Sequence, residues 1–239
     1  MLDQATISDF KNYFSITIAK GNANLESAYK LRYKVFCREF HYIPVESCSN
    51  QQESDQLDDI SFHCLVIHTA TQKIAGYSRI VPAIEENVSI KLPIEHFVTS
   101  NINVQFANEL VNQRNAICEL SHVAVDDEFR KRIGEKLTRF GDLASQEMRT
   151  FPIIAFASIL GGLAVAREGE KTQVISMLEP YLQRVLQRCG INLEIIGKDI
   201  DFHGIKSLCL FRTGSALENL TSQLNPLNEW VIQQIRVSL

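Results

Sequence analysis

A single carboxylate sits where an apolar strand is expected. In residues 117–125, ICELSHVAV, Glu119 lies among apolar and β-branched side chains, and His122 follows three positions later. Burying a carboxylate is costly unless it has a partner or a task. An acidic turn (Asp126, Asp127, Glu128) comes next, and then Arg130, Lys131 and Arg132 ahead of Gly134. This pattern predicts strand, turn and helix in succession. A cationic helix N-terminus adds fixed charge to backbone N–H groups that already favour anions. The pattern is that of an enzyme that grips an anionic donor beside a buried carboxylate.

Other charges fall in similar surroundings. The spacing predicts a helix over 25–40, capped by Asn24, on which Leu25, Ala28, Tyr29, Arg32 and Phe36 share one face. Arg32 on that face either snorkels to the edge or is held inward to meet carboxylates. Arg79 interrupts a strand expected over 74–81, and Asp55, Asp58 and Asp59 close a polar loop before the strand expected over 62–68. Arg32, Arg79, Asp55 and Asp58 are therefore candidates for one compensated network. His63 and His68 fit packed or edge histidines better than ligands, and no calcium-type loop is present, so no metal is expected. In a regular strand Glu119 and His122 face opposite sides.

The elements that must position these residues come from a chain of 239 residues with 45% hydrophobic and 22% charged residues, ordinary values for a globular protein. The net charge of −4 gives no general attraction to nucleic acid. Six scattered cysteines, with no zinc spacing, fit reduced thiols. The N-terminus lacks the pattern of a secretory signal, so a cytoplasmic location is the expectation. The apolar run over 152–166 is shorter than the ~20 residues a bilayer span needs and reads as a core helix, with no integral membrane segment expected.

Taken in order, the chain predicts a strand over 10–20, the helix over 25–40, an exposed loop over 46–56, and strands over 62–68 and 74–81. An irregular stretch over 83–114 follows, with a turn at 92–97 and a short helix at 106–112, in a position to cover a site. After the strand at 117–125 come helices over 134–148 and 151–167, a strand over 172–178 and a helix over 180–189 stopped by Gly190. A closing strand pair (191–196, 207–211) and a terminal helix at 228–237 complete the reading. Interspersed strands and helices imply one α/β domain over 1–239 with a mixed central sheet, its core at about 16–212.

Four segments then resemble one superfamily: Arg32 with Phe36, ESDQLD at 53–58, IAGYSRIVP at 74–82 and ELSHVAV at 119–125. They are similar to the acyl-homoserine-lactone (autoinducer) synthases and the N-acyl amino acid synthases. PYLQRVLQRCGINLEIIGKDIDFHG at 180–204 resembles the acyltransferases associated with the PEP-CTERM/exosortase system. All have the GNAT fold. The resemblance implies transfer of an acyl group from a thioester, on acyl carrier protein or CoA, to an amine. It implies a charged cluster of Arg32, Phe36, Asp55, Asp58 and Arg79 beneath the acceptor, with Ser121 beside it. Glu119 corresponds to the catalytic base, with His122 next to it. Val123 and Val125 of the splayed strand, with Arg130, Lys131, Arg132 and Gly134, correspond to the donor side.

Two departures qualify the substrates. Autoinducer synthases have arginine where this chain has His122, which weakens an acylated lactone as the product. The loop Arg-Lys-Arg-Ile-Gly-Glu is one residue short of the acetyl-CoA pattern and lacks its second small residue. The local charge of +4 over 130–139 fits docking of an acidic carrier protein. The resulting expectation is an N-acyltransferase that joins a fatty acyl thioester to a small amine, plausibly an amino acid. The alternatives are an autoinducer synthase using S-adenosylmethionine and an acyl-binding module without turnover.

Overall fold

The computed structural model describes residues 4–85, 90–96, 102, 104–130 and 142–239, with side chains from residue 146 onward in the last segment. Among the described residues there are eight strands: β1 (Phe14–Ile18), β2 (Phe62–His68), β3 (Ile74–Pro82), β4 (Ile117–Val125), β5 (Gln173–Leu178), β6 (Glu194–Ile195), β7 (Ile200–Asp201) and β8 (Ile205–Arg212). The sheet order is β1-β2-β3-β4-β5-β8-β6, with β7 paired to β8. Among these strands only β4 and β5 run parallel; the other neighbours pair antiparallel.

The helices are α1 (Gln4–Tyr13), α2 (Asn22–Arg32), α3 (Val104–Asn112), α4 (Asp142–Glu168), α5 (Pro180–Arg188) and α6 (Asn225–Ser238). One face of the sheet packs on α1, α4 and α6, through Phe10, Ile80, Leu120, Ile154, Leu160 and Val231 among others. The opposite face meets α2 through Ala28, Leu31 and Tyr77, and α3 through Phe106 and Leu110. Strand β3 is covered on both faces. Its odd-numbered residues Tyr77, Arg79 and Val81 face the α2 side, while Gly76, Ser78 and Ile80 face α4. A Cβ on Gly76 would stand 2.6 Å from both Ile154 Cγ2 and Ser158 Oγ, so glycine is what lets α4 lie this close.

Several expected elements change form. The N-terminal strand begins only at Phe14, because Ile7 and Phe10, three residues apart, bury one side of the helix α1 before it. The cap expected from Asn24 is absent; α2 begins two residues earlier and continues as a π-helical stretch, Tyr33–Glu39. From residue 142 the two helices expected over 134–148 and 151–167 are one. Pro152 lies inside α4, and the apolar face runs on past it through Ile153, Ile154 and Ala157. Gln146–Glu168 of α4 is long and apolar enough to cross a bilayer, but Ile153, Ile154, Ala157, Leu160 and Leu163 are buried against the sheet. The closing strand pair is shorter than expected on one side, with β6 reduced to two residues. Arg212 at the end of β8 crosses to Glu194 of β6.

Candidate active site

The parallel pairing of β4 and β5 stops at Glu119–Ile175, although both strands continue. At the point of divergence Ser176 Oγ donates to Leu120 O at 2.8 Å. Beyond it the strands splay, and a cavity of about 740 Å³ opens between Leu120–Val123 on one side and Ser176–Glu179 on the other. That lies within the roughly 300–1,000 Å³ usual for small-molecule sites. Phe36, Phe40, Tyr42 and Ile43 line it from the π-helical stretch and the loop after it. Pro93 and Ile94 line it from the short turn Pro93–His96, and Phe202, His203 and Lys206 from the β7–β8 hairpin.

The register of β3 and β4 slips between Tyr77 and Arg79: Tyr77 pairs with Ala124, but Arg79 pairs with Ser121. One extra residue is therefore taken up on β4, and His122 adopts φ 51°. Without the bulge His122 would share the α4 face with Leu120. With it, the imidazole turns to the α2 side, edge-on to Phe36 at 5.1 Å, with Nε2 3.6 Å from Glu53 Oε2. Glu119, Ser121 and His122 thereby all line one cavity.

Beneath this wall lies a network of buried charge. Arg32, completely buried, makes a bidentate pair with Glu53 (Nε–Oε2 2.6 Å, Nη2–Oε1 2.9 Å) and donates from Nη1 to Asp58 Oδ1 at 2.6 Å. Arg79, also completely buried, donates from Nη1 to Asp55 at 2.8 and 2.9 Å and to Asp58 Oδ1 at 2.8 Å. Its Nε reaches Ser121 Oγ at 3.2 Å, and its Nη2 has no hydrogen-bond partner among the described residues. Burial alone would discharge these groups, but the carboxylates raise both guanidiniums above their ordinary value. Burial likewise works to raise Asp58, and Arg32 and Arg79 more than offset it, leaving its pKa lowered. His63 supports the network from below, with Nδ1 at 2.7 Å from Tyr77 OH and Nε2 at 3.1 Å from Asp58 O.

Glu119 stands apart from the guanidiniums. Burial pushes its carboxyl up to about 7. The Ile94 N–H, donating to Oε2 at 2.9 Å, works the other way. That N–H is presented by the Pro93–His96 turn, which Arg114 fastens from below. Arg114 pairs with both oxygens of Glu95 at 2.8 Å and donates to Ile84 O at 3.0 Å and Ile90 O at 2.8 Å. His122 is shifted in the opposite direction: burial, then the charges of Arg32 and Arg79, hold its pKa well below the ordinary value, so the ring is neutral at pH 7. The cavity wall therefore offers a proton acceptor poised near neutrality, a neutral imidazole and the acidic groups Glu53 and Asp55.

Of the residues singled out in the sequence, Phe36, Asp55, Glu119, Ser121, His122 and Val123 line the cavity, while Arg32, Asp58 and Arg79 lie behind its wall. Val125 packs against the core on the α4 face. Arg130 is ion-paired with Glu39 and lies over the ring of Phe40 at 5.7 Å, but does not itself line the cavity. Lys131, Arg132 and Gly134, with the rest of the basic run to Arg139, fall outside the described residues. Glu53 heads the ESDQLD segment but is given no role by the sequence reading, because the loop at 46–56 reads as exposed, yet this carboxylate is buried on Arg32. Arg114 and Glu95 escape it as well, since no local pattern links them. Glu53, Asp55 and His122 each offer one ligand atom within 4.8 Å of the others. A cation there would have to compete with Arg32 and Arg79 for the same carboxylates.

Residues 31–139 match the Acetyltransferase (GNAT) domain family. Solved structures extend that likeness over almost the whole chain. The fold is GNAT. TofI, in a ternary complex with an inhibitor and MTA, superposes with a TM-score of 0.58 at 17% identity, covering 87% of this chain and 95% of its own. The CoA-dependent acyl-homoserine lactone synthase BjaI, with MTA, gives 0.56 at 14%, covering 91% and 89%. FeeM, an N-acyl amino acid synthase from uncultured soil microbes, gives 0.56 at 10%, covering 90% and 96%. A search of curated proteins by sequence finds no match. At these identities the likeness establishes the fold, and the chemistry has to be argued from the cavity.

Proposed function

We propose that this protein is an N-acyltransferase that moves a fatty acyl group from a thioester, on acyl carrier protein or CoA, to the amine of a small acceptor such as an amino acid. The observation that carries the reading is the position of Glu119: a carboxyl held near pH 7 on the wall of a cavity that opens where β4 and β5 part. An ammonium acceptor must lose a proton before it can attack a thioester carbon, and a base near neutrality takes it directly or through one water. The amine nitrogen then bonds to the acyl carbon, the C–S bond breaks as the intermediate collapses, and the second proton shed by the nitrogen passes to the departing thiolate, giving the amide and a free thiol. Beyond Glu119–Ile175 the β4 backbone no longer pairs with β5, and in this reading N–H groups along that freed edge stabilise the tetrahedral oxyanion.

The remaining wall fits both substrates. Glu53, Asp55 and Asp58 carry one negative charge more than Arg32 and Arg79 neutralise, an excess that favours a cationic acceptor before deprotonation, and Phe36, Ile43, Leu120, Met177, Leu178 and Leu182 give an apolar lining for an alkyl chain. FeeM and BjaI, with the same fold, are named for products in which an acyl group has been joined to an amine. A second reading, an autoinducer synthase using S-adenosylmethionine, draws on the same acidic and aromatic groups. Glu53 and Asp55 with Phe36 and Tyr42 suit a sulfonium as well as an ammonium.

The test is expression in a bacterial host followed by mass spectrometry of extracted lipids. An open-chain N-acyl amino acid supports the proposal and identifies the acceptor, whereas an acyl-homoserine lactone promotes the second reading. Absence of any acylated product, with a fatty acid retained by the folded protein, would leave an acyl-binding module.

A further inference from the structure

The β7–β8 hairpin contributes a cation that the proposed reaction does not use. Its tip, Phe202-His203-Gly204, is a tight turn with φ 52° at His203 and 100° at Gly204. His203 stacks on Tyr42 at 4.5 Å and 19°, so this hairpin and the loop after the π-helical stretch, far apart in sequence, meet over the cavity. Lys206, the second residue of β8, projects into the same junction. Its ammonium stands 5.0 Å from the centre of the Tyr42 ring and 5.5 Å from that of Phe202.

Three observations single out this lysine. It lines the cavity, as do both aromatic residues that hold it. No hydrogen bond or ion pair to its ammonium is made by the described residues; Glu179, also on the cavity wall, influences it only from beyond ion-pairing distance. Burial lowers its pKa, as expected of an ammonium that has lost water without gaining a counter-ion. Of the charged side chains on the cavity wall, Glu53, Asp55, Glu119 and Glu179 are carboxylates, and Lys206 is the one lysine or arginine among the described residues. Tyr42 and Phe202 fix the direction of the ammonium, which reduces the side-chain entropy that a ligand must otherwise overcome.

We propose that Lys206 is an anion-binding residue of the cavity and receives an oxyanion, carboxylate or phosphate, of one substrate. The inference rests on the acyltransferase reading for the source of that anion. It is either the carboxylate of an amino acid acceptor, whose ammonium would face Glu53 and Asp55, or the phosphate of the donor's phosphopantetheine arm. In either case the cavity sorts its ligands by charge, with acids on the β4 side and a cation on the hairpin.

The test uses the full chain and two pairs of probes that differ only in the anion, measured by titration calorimetry. One pair is N-lauroylglycine and N-lauroylglycinamide; the other is 4′-phosphopantetheine and pantetheine. A desolvated charge-assisted contact predicts that the wild type binds the anionic member of one pair about tenfold more tightly. Lys206→Met, which keeps the aliphatic stem between the rings, should abolish that preference and leave affinity for the neutral member unchanged. Lys206→Arg should restore it. Preference within the lauroyl pair assigns the acceptor carboxylate, and preference within the pantetheine pair assigns the donor phosphate. Equal binding within both pairs, no binding of either pair, or a preference that survives in Lys206→Met would overturn the inference. Turnover decides separately on the reaction: an inactive protein that shows the charge preference keeps this site and loses only the acyltransferase reading.

Discussion

Replacing Glu119 with glutamine separates the energetic burden of this carboxylate from its catalytic use. Its pKa rises from the ordinary 4.5 to about 7 in the folded chain. Below pH 4.5 the group is protonated in both states and the shift contributes nothing. As pH rises from about 4.5 to 7, the unfolded chain releases a proton that the folded chain keeps, and stability is lost. Above 7 the loss levels off at about 3 kcal/mol, at 1.36 kcal/mol per pKa unit. A glutamine side chain at this position carries no such burden and can still accept the Ile94 N–H. The Glu119→Gln variant should therefore gain about 3 kcal/mol relative to wild type between pH 4.5 and 8, roughly 6–12 °C in Tm for a chain of this size. His63 and His122, whose pKa values are lowered, pull wild-type stability the opposite way as pH falls through 6.5, but they are present in both proteins and cancel in the difference. The same variant should lose turnover by about 100-fold or more, and wild-type kcat/KM should rise with pH through about 7. The assays are denaturant titrations at several pH values and single-turnover acyl transfer. A stability difference that is flat between pH 5 and 8 refutes the buried, proton-holding carboxylate; unchanged turnover removes Glu119 from the chemistry.

Three further outcomes test the surroundings. Arg114→Met strands Glu95 without its bidentate partner and frees the turn that presents Ile94 N–H. Denaturation should show a loss of about 3 kcal/mol, and the pH–rate limb should move upward, because the Ile94 N–H lowers the Glu119 pKa and a freed turn withdraws it. His122→Arg places a permanent charge where burial and two guanidiniums already suppress protonation. A loss of about 1–3 kcal/mol with Glu53 drawn away from Arg32 is expected, measured by melting and by the acceptor profile. At Gly190, φ is +82° and a Cβ would collide with the backbone carbonyl of Asn219. Gly190→Ala should cost at least about 2 kcal/mol in chemical denaturation while leaving acceptor selectivity unchanged.

Much of the fold is legible where local periodicity matches burial. Strands β2 to β5 and helix α5 fall within a residue or two of the expected bounds because their apolar runs are bounded by turns, prolines or Gly190. Helix α1 is not legible: Ile7, Phe10 and Phe14 fit a strand tail or a helix face equally well, and only packing on α4 and Trp230 decides. Nor does Pro152 end its helix, since an apolar face buried over several turns outweighs one missing N–H. The site divides in the same way. Arg32 and Arg79 stand out because charges interrupt apolar patterns, whereas Glu53, Arg114 and Lys206 lie in polar or mixed segments and acquire meaning only from partners distant in sequence.

The buried charges do more to fix geometry than to add stability. A pair of buried guanidiniums with three carboxylates rarely exceeds the desolvation it costs. Their arrangement, though, joins α2, the loop at 53–58, β3 and β4 through bonds of fixed direction. Arg32 ties Glu53 to Asp58, and Arg79 ties Asp58 and Asp55 to Ser121, the residue just before the bulge. If the bulge relaxed, His122 would return to the α4 face and Ser121 would leave Arg79. The network thus holds β4 in the register that opens the cleft toward β5 and leaves Glu119, without an arginine partner among the described residues, free to take up a proton.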